Sequence, residues 1–242
     1  IMLSKKKVEE IANQNILISD LSDDELAEFC IIVNQMYRDG EPIVSDQDYD
    51  FVFLEALTKR LPHHPFLQKL ESEHEGFAEE KVKLPERMLS TNKAYSWGEI
   101  QKWLERITKS AEEIDLSPKD VLIKGTAKLD GFAGYDDGVK FYTRGDGNKG
   151  SDITRVFERG LGVFNDSERG QGAGEIVVKR SYFETHLSKH FEYPRNFQAS
   201  LIKEKELDQF AEKAIADKAA LFVPFIQLPE WLGGIREFTD NF

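Results

Sequence analysis

Helical periodicity fills the first sixty residues of this chain and gives way, after residue 120, to short runs punctuated by glycine. Helices and strands segregated in this way point to an α+β architecture built around antiparallel sheets. Ser22 with Glu25 makes a capping-box signal that opens an amphipathic helix over residues 23–37. Asp39-Gly40-Glu41-Pro42 reads as a turn. Ser45 caps a second helix over residues 46–61, which stops before Pro62, so the pair forms an antiparallel helical hairpin. Residues 71–83 are highly charged without clear periodicity and read as a linker, and Ser96 caps a further helix over 97–110.

The remainder turns to β structure. The pattern predicts a strand at 121–123 and a hairpin of 131–135 with 139–142 around Asp136-Asp137-Gly138. It then predicts a glycine-rich connection at 170–174, a strand at 175–179, a short helix capped by Ser181 and ending at 187, a charged helix at 203–219 and a buried strand at 220–226. The simplest division is a helical part over residues 1–70 and a core over 71–242.

A single cysteine, Cys30, in an apolar helical pattern excludes a disulfide framework and fits a reducing, cytoplasmic setting. No apolar run is long enough to span a membrane, and the first residues lack the apolar stretch of a signal peptide. The net charge of −12 argues against a simple nucleic-acid-binding module, which would cluster Lys and Arg. The five histidines show no metal-ligand spacing, so no zinc site is expected.

The chemistry concentrates in Lys128-Leu129-Asp130-Gly131, followed by Arg144-Gly145-Asp146-Gly147. A lysine amine that is neutral near pH 7 can attack an α-phosphate and keep the nucleotide as a phosphoramidate. In such a motif Asp130 is a hydrogen-bond or metal partner, and Gly131 lets the backbone turn close to a phosphate. The same four residues also close ordinary hairpins with a solvated lysine. What adds weight is an ordered series: Arg87-Met88-Leu89-Ser90 before the lysine, then Thr143-Arg144-Gly145-Asp146-Gly147, Gly174-Glu175-Ile176-Val177-Val178-Lys179 and Tyr193-Pro194-Arg195-Asn196 after it.

From about residue 26 to about residue 229 this series resembles the adenylation domain of NAD-dependent DNA ligases. The segment Pro42-Ile43-Val44-Ser45-Asp46-Gln47-Asp48-Tyr49-Asp50 resembles the helical subdomain peculiar to the NAD-dependent branch. The resemblance implies a nucleotidyltransferase core (ATP-grasp-like antiparallel sheets with flanking helices) behind a small helical subdomain that holds nicotinamide mononucleotide. It implies that Lys128 is the nucleophile, supported by Asp130. Tyr37, Asp46, Tyr49 and Asp50 would hold the nicotinamide side, where aromatic stacking on the cationic ring and carboxylate contacts fit the chemistry. Ser90 and Thr126 would lie at the adenine, and Arg144 and Glu175 at the ribose or phosphate. Glu175 would also be a Mg²⁺ ligand, and Arg195 would contact the mononucleotide phosphate or DNA. The implied partners are NAD, AMP, nicked double-stranded DNA and a partner chain or C-terminal OB-fold region, in a bacterial or phage-infected cell.

The chain departs from that pattern in places. Met36 stands where the family has the first of two aromatics, and Thr126 stands where it has a glutamate. Nothing after Trp231 matches the family's two later lysine motifs. A fragment of a longer ligase and a naturally split subunit both fit. So do a subunit that only holds nucleotide or partner, and an ATP- or GTP-using RNA-ligase or capping-type enzyme. Any grip on DNA from this chain would come from a local basic surface around Lys124, Lys128, Lys140, Arg144 and Lys149.

Overall fold

A computed structural model describes residues 3–68, 81–203 and 206–231. The first helix, α1 (Lys5–Ala12), buries Val8 and Ile11, while Lys5 and Lys6 face outward. Helix α2 (Asp23–Arg38) starts at the expected capping box: the Ser22 hydroxyl accepts from Glu25 N–H at 3.2 Å, and Ser22 N–H donates to Glu25 Oε2 at 3.0 Å. Leu26, Phe29, Cys30 and Val33 recur at helical spacing and form its buried stripe. The second arm starts at α3 (Asp46–Asp48), capped by Ser45, passes through a π-helical turn at Tyr49–Leu54 and ends as α4 (Glu55–Arg60). The arms lock through Phe29 and Phe53, whose ring centroids lie 4.7 Å apart. A short α5 (Pro65–Gln68) follows. One buried apolar cluster runs from Leu3 to Leu57, entirely within this helical part.

The expected linker at 71–83 lies mostly outside the described residues; its last three residues are a strand, β1 (Lys81–Lys83). Next is α6 (Trp97–Glu113), opened by a Ser96–Glu99 capping box and three residues longer than expected. Strands β2 (Phe132–Asp136) and β3 (Phe141–Thr143) form the hairpin. Its turn is longer than the sequence suggests, because Asp137 Oδ1 accepts from both Val139 N–H (2.9 Å) and Lys140 N–H (2.6 Å). Those two residues therefore belong to the turn and not to the strand. Strand β4 (Lys149–Ser151) pairs with β1 as a separate two-stranded sheet.

After α7 (Arg155–Glu158) come β5 (Gly162–Val163), β6 (Gly172–Val178), α8 (Arg180–Tyr182), α9 (Pro194–Ile202), α10 (Gln209–Ala216) and β7 (Ala220–Pro224). The main sheet has the order β3-β2-β6-β7-β5, antiparallel except for β5 beside β7. Phe132, Phe141, Ile176 and Phe222 bring its strands into a core shared with Phe197, Leu201 and Ile202 of α9.

Several expected boundaries move, each for a local reason. The glycine-rich stretch expected as a connection is already strand: β6 starts at Gly172, and a Cβ on Gly174 would stand 2.4 Å from the Val223 carbonyl oxygen. Glycine is thus the price of a close strand crossing. Ser181 does not cap; the strand ends at Val178, and Lys179 stands at the cap of α8. The charged helix begins at 209 because Asp208 accepts from Ala211 N–H at 2.8 Å. Strand β7 stops at Pro224, which has no N–H to extend the ladder, and Phe225–Gln227 is a 3₁₀ turn.

The strand expected at 121–123 is absent. Strand propensity acts through pairing with neighbours, and here Leu122 is 96% exposed with no strand beside it. Residues 124 and 125 instead meet the chain after β7. Lys124 Nζ donates to the Leu228 carbonyl (2.7 Å), and Trp231 N–H donates to the Gly125 carbonyl (2.7 Å). No described helix is long and apolar enough to cross a membrane.

Candidate active site

The Lys128–Gly131 loop runs directly into β2 and is held from below by α9. Pro194 occupies the first turn of α9, where its missing N–H costs nothing, and aims the next residues at the loop. Arg195 is 5% exposed, and Gln198 is fully buried. The Arg195 guanidinium donates to the Tyr37 carbonyl (2.7 Å) through Nε and to the Gly131 carbonyl through Nη1. Its plane lies between two rings, 4.0 Å from the centroid of Tyr37 and 3.8 Å from that of Phe132. Gln198 Nε2 donates to the Asp130 carbonyl at 2.9 Å, and Asn196 Nδ2 to the Gly40 carbonyl at 3.0 Å. One helix therefore grips both the Lys128–Gly131 loop and the turn that ends α2. Gly40 permits that approach: its φ is +78°, and a Cβ there would stand 2.2 Å from Ala199 Cβ.

Above this clamp lies a cavity of about 840 Å³ lined by Lys128, Asp130, Tyr37, Asp46 and Arg195 among others. The Tyr37 hydroxyl is 3.0 Å from Asp130 Oδ1 and 3.2 Å from Asp46 Oδ2. Burial pushes the Asp46 carboxyl up to about 6, reinforced by the negative charge of Asp130 and opposed by Lys128 and Arg195. Burial also holds the Tyr37 phenol well above its usual value; Arg195 opposes that rise, and Asp130, Asp46 and Glu175 add to it.

Five expected site residues thus come together: Tyr37, Asp46, Lys128, Asp130 and Arg195. Glu175 stands on β6 opposite Ala133, close enough for its charge to act on Tyr37, but does not line the cavity. Thr126 is exposed on the approach to the loop, and Arg144 is half-buried just after β3 with its N–H on the Ala133 carbonyl (3.1 Å). Tyr49, Asp50 and Ser90 lie elsewhere. The Tyr49 hydroxyl donates to the Cys30 carbonyl (3.3 Å), Asp50 pairs with Lys93, and Ser90 lines a second groove together with Tyr49. Gly131 also has a packing part. A Cβ on it would stand 2.0 Å from the Ile176 carbonyl oxygen, so it allows the loop to seat on β6. Asp146 of the Arg144–Gly147 motif closes a turn, accepting from Asn148 and Lys149 N–H at 2.9 and 2.7 Å.

Residues 77–215 match the family of NAD-dependent DNA ligase adenylation domains. The chain belongs to that family. A DNA ligase of Ruthia magnifica subsp. Calyptogena magnifica is 62% identical over 93% of the chain and 37% of its own length. One of Vesicomyosocius okutanii is 58% identical over the whole chain and 38% of its own length, and one of Shewanella baltica is 47% identical over 96% of the chain. The chain therefore spans little more than a third of these ligases.

Among the described residues, no group of three or more His, Cys, Asp or Glu side chains is arranged to hold a metal ion. Mg²⁺ is commonly held by substrate phosphates with one or two carboxylates, and Asp46 and Asp130 beside Lys128 fit that mode.

Proposed function

We propose that this chain is the AMP-accepting part of an NAD-dependent DNA ligase, with NAD as substrate and Lys128 as nucleophile. The observation that carries the reading is the single cavity holding Lys128 beside Asp130 and Asp46, floored by Arg195 and closed by Tyr37 from the helical part. Lys128 Nζ attacks the α-phosphorus of NAD. A P–N bond forms, the P–O bond to nicotinamide mononucleotide breaks, and that mononucleotide leaves with the electron pair. The proton lost from the amine passes to the carboxylates beside it or to solvent. AMP then moves to the 5′-phosphate of nicked DNA, and the 3′-hydroxyl displaces it. Mg²⁺ on the phosphates would neutralise charge.

In this reading residues 1–70 form the nicotinamide-side subdomain and 71–242 an ATP-grasp-like nucleotidyltransferase core, acting in repair and replication in the bacterial cytoplasm. Tyr37 and Asp46 face the nicotinamide half, whereas Tyr49 braces the helical hairpin through the Cys30 carbonyl and Asp50 ties it to Lys93. In the same reading Glu175, Arg144 and Thr126 are further nucleotide contacts. The test is donor choice: NAD labels the chain with AMP, and ATP at equal concentration does not. Equal labelling by both would contradict the reading.

A further inference from the structure

A second groove, of about 990 Å³, lies between the helical hairpin and α6 and shares no lining residue with the Lys128 cavity. Its walls carry Arg38, Arg87, Lys93, Lys102 and Arg106 against one acidic side chain, Glu99, in a chain whose net charge is −12. Glu99 is occupied at the helix cap, accepting from Tyr95 N–H (2.6 Å) and Ser96 N–H (2.9 Å), and Lys93 is paired with Asp50. Among the described residues none of Arg87, Lys102 and Arg106 forms an ion pair, so they set the sign of the groove. Helix α6 adds an aromatic side chain: Trp103, 39% exposed, lines the groove with Lys102 and Arg106, and Ala111 is the only residue of this 17-residue helix that is buried.

An amphipathic helix left open beside clustered cations and an indole is built for a phosphodiester backbone, where cations meet phosphates and aromatic faces meet sugars or bases. We propose that this groove is a DNA-binding surface that takes a strand of the nicked duplex. The proposal rests on the ligase reading above and adds where the DNA is gripped. Of the basic surface expected around Lys124, Lys128, Lys140, Arg144 and Lys149, Lys124 is bonded to the Leu228 carbonyl and Lys140 is paired with Asp152 at 3.3 Å.

The experiment measures binding of a fluorescent nicked duplex by anisotropy across a salt series, with AMP labelling from NAD read in parallel by intact mass. The variant is Lys102→Glu with Arg106→Glu, two exposed positions that leave the core untouched. A matched control, Lys119→Glu with Lys189→Glu, makes the same change in net charge at exposed positions outside the groove. The groove variant is expected to bind at least about tenfold more weakly, with the slope of log K against log salt reduced by about two. AMP labelling should be unchanged, and the control should bind like the parent chain. Unchanged DNA binding in the groove variant overturns the proposal, as does equal weakening in the control or no DNA binding by the parent chain. Loss of AMP labelling with DNA binding intact also overturns it, by giving the groove to the nucleotide. If the parent chain binds DNA through the groove but takes no AMP from NAD, the ligase reading fails and the binding surface stands.

Discussion

The Tyr37 hydroxyl sits within hydrogen-bond distance of two carboxylates, Asp130 at 3.0 Å and Asp46 at 3.2 Å. It has one proton to give. With both acids ionised, one contact is a lone pair against a lone pair. Protonating Asp46 resolves the conflict: Asp46 donates to the phenol oxygen and the phenol donates to Asp130. This junction joins the helical part to the Lys128–Gly131 loop, so its protonation state bears on how firmly the two are joined.

A pH dependence follows. The Asp46 carboxyl is raised in the folded chain to about 6 from a usual 3.8. A group raised on folding adds stability below its unfolded value and loses it as pH rises through its folded value. Between pH 7 and pH 5 the parent chain should therefore gain stability relative to Asp46→Asn, on the order of 1 kcal/mol after allowing for partial exposure. Urea unfolding of both proteins at the two pH values measures the difference. Parallel behaviour of the two would show that Asp46 does not carry the linkage.

Arg195 supports the loop through geometry as well as charge. Replacing it with Ala leaves the Tyr37 and Gly131 carbonyls without their donor and opens a slot between two rings, at a cost of about 2–4 kcal/mol. Arg195→Lys should recover little of this, because an ammonium cannot fill the planar slot or reach both carbonyls. Denaturant midpoints order the three proteins. Full rescue by lysine would mean that charge alone matters there.

Gly131→Ala puts a methyl 2.0 Å from a backbone oxygen of β6. Backbone must move to admit it, so the variant should lose about 1–3 kcal/mol and label with AMP more slowly. Thermal melts together with labelling rates check this. A stable, fully active variant would show that the loop does not need its seat on β6.

How much of this was legible in the sequence varied with how local each feature is. The capped helices were readable because Ser22–Glu25 and Ser96–Glu99 carry their signal within four residues. The loop and Arg195 were readable as short motifs, although the clamp was not: only the fold shows the Arg195 guanidinium bonded to the Tyr37 and Gly131 carbonyls. Gln198 carries no signal of its own, since a buried glutamine in a helix looks like any surface polar residue until the Asp130 carbonyl appears above it. The second groove was invisible because Arg38, Arg87 and Arg106 are distant in sequence and meet only across the hairpin and α6. The misplaced strand at 121–123 shows the converse, apolar residues with strand propensity but no partner strand.

The most direct test of the account is intact-mass detection of AMP on the chain after incubation with NAD. The parent chain and Lys124→Ala should both take up one AMP, because Lys124 is tied to the Leu228 carbonyl and not to the chemistry. Lys128→Ala should take up none. An AMP adduct on Lys128→Ala would contradict the assignment of the nucleophile and with it the proposed function.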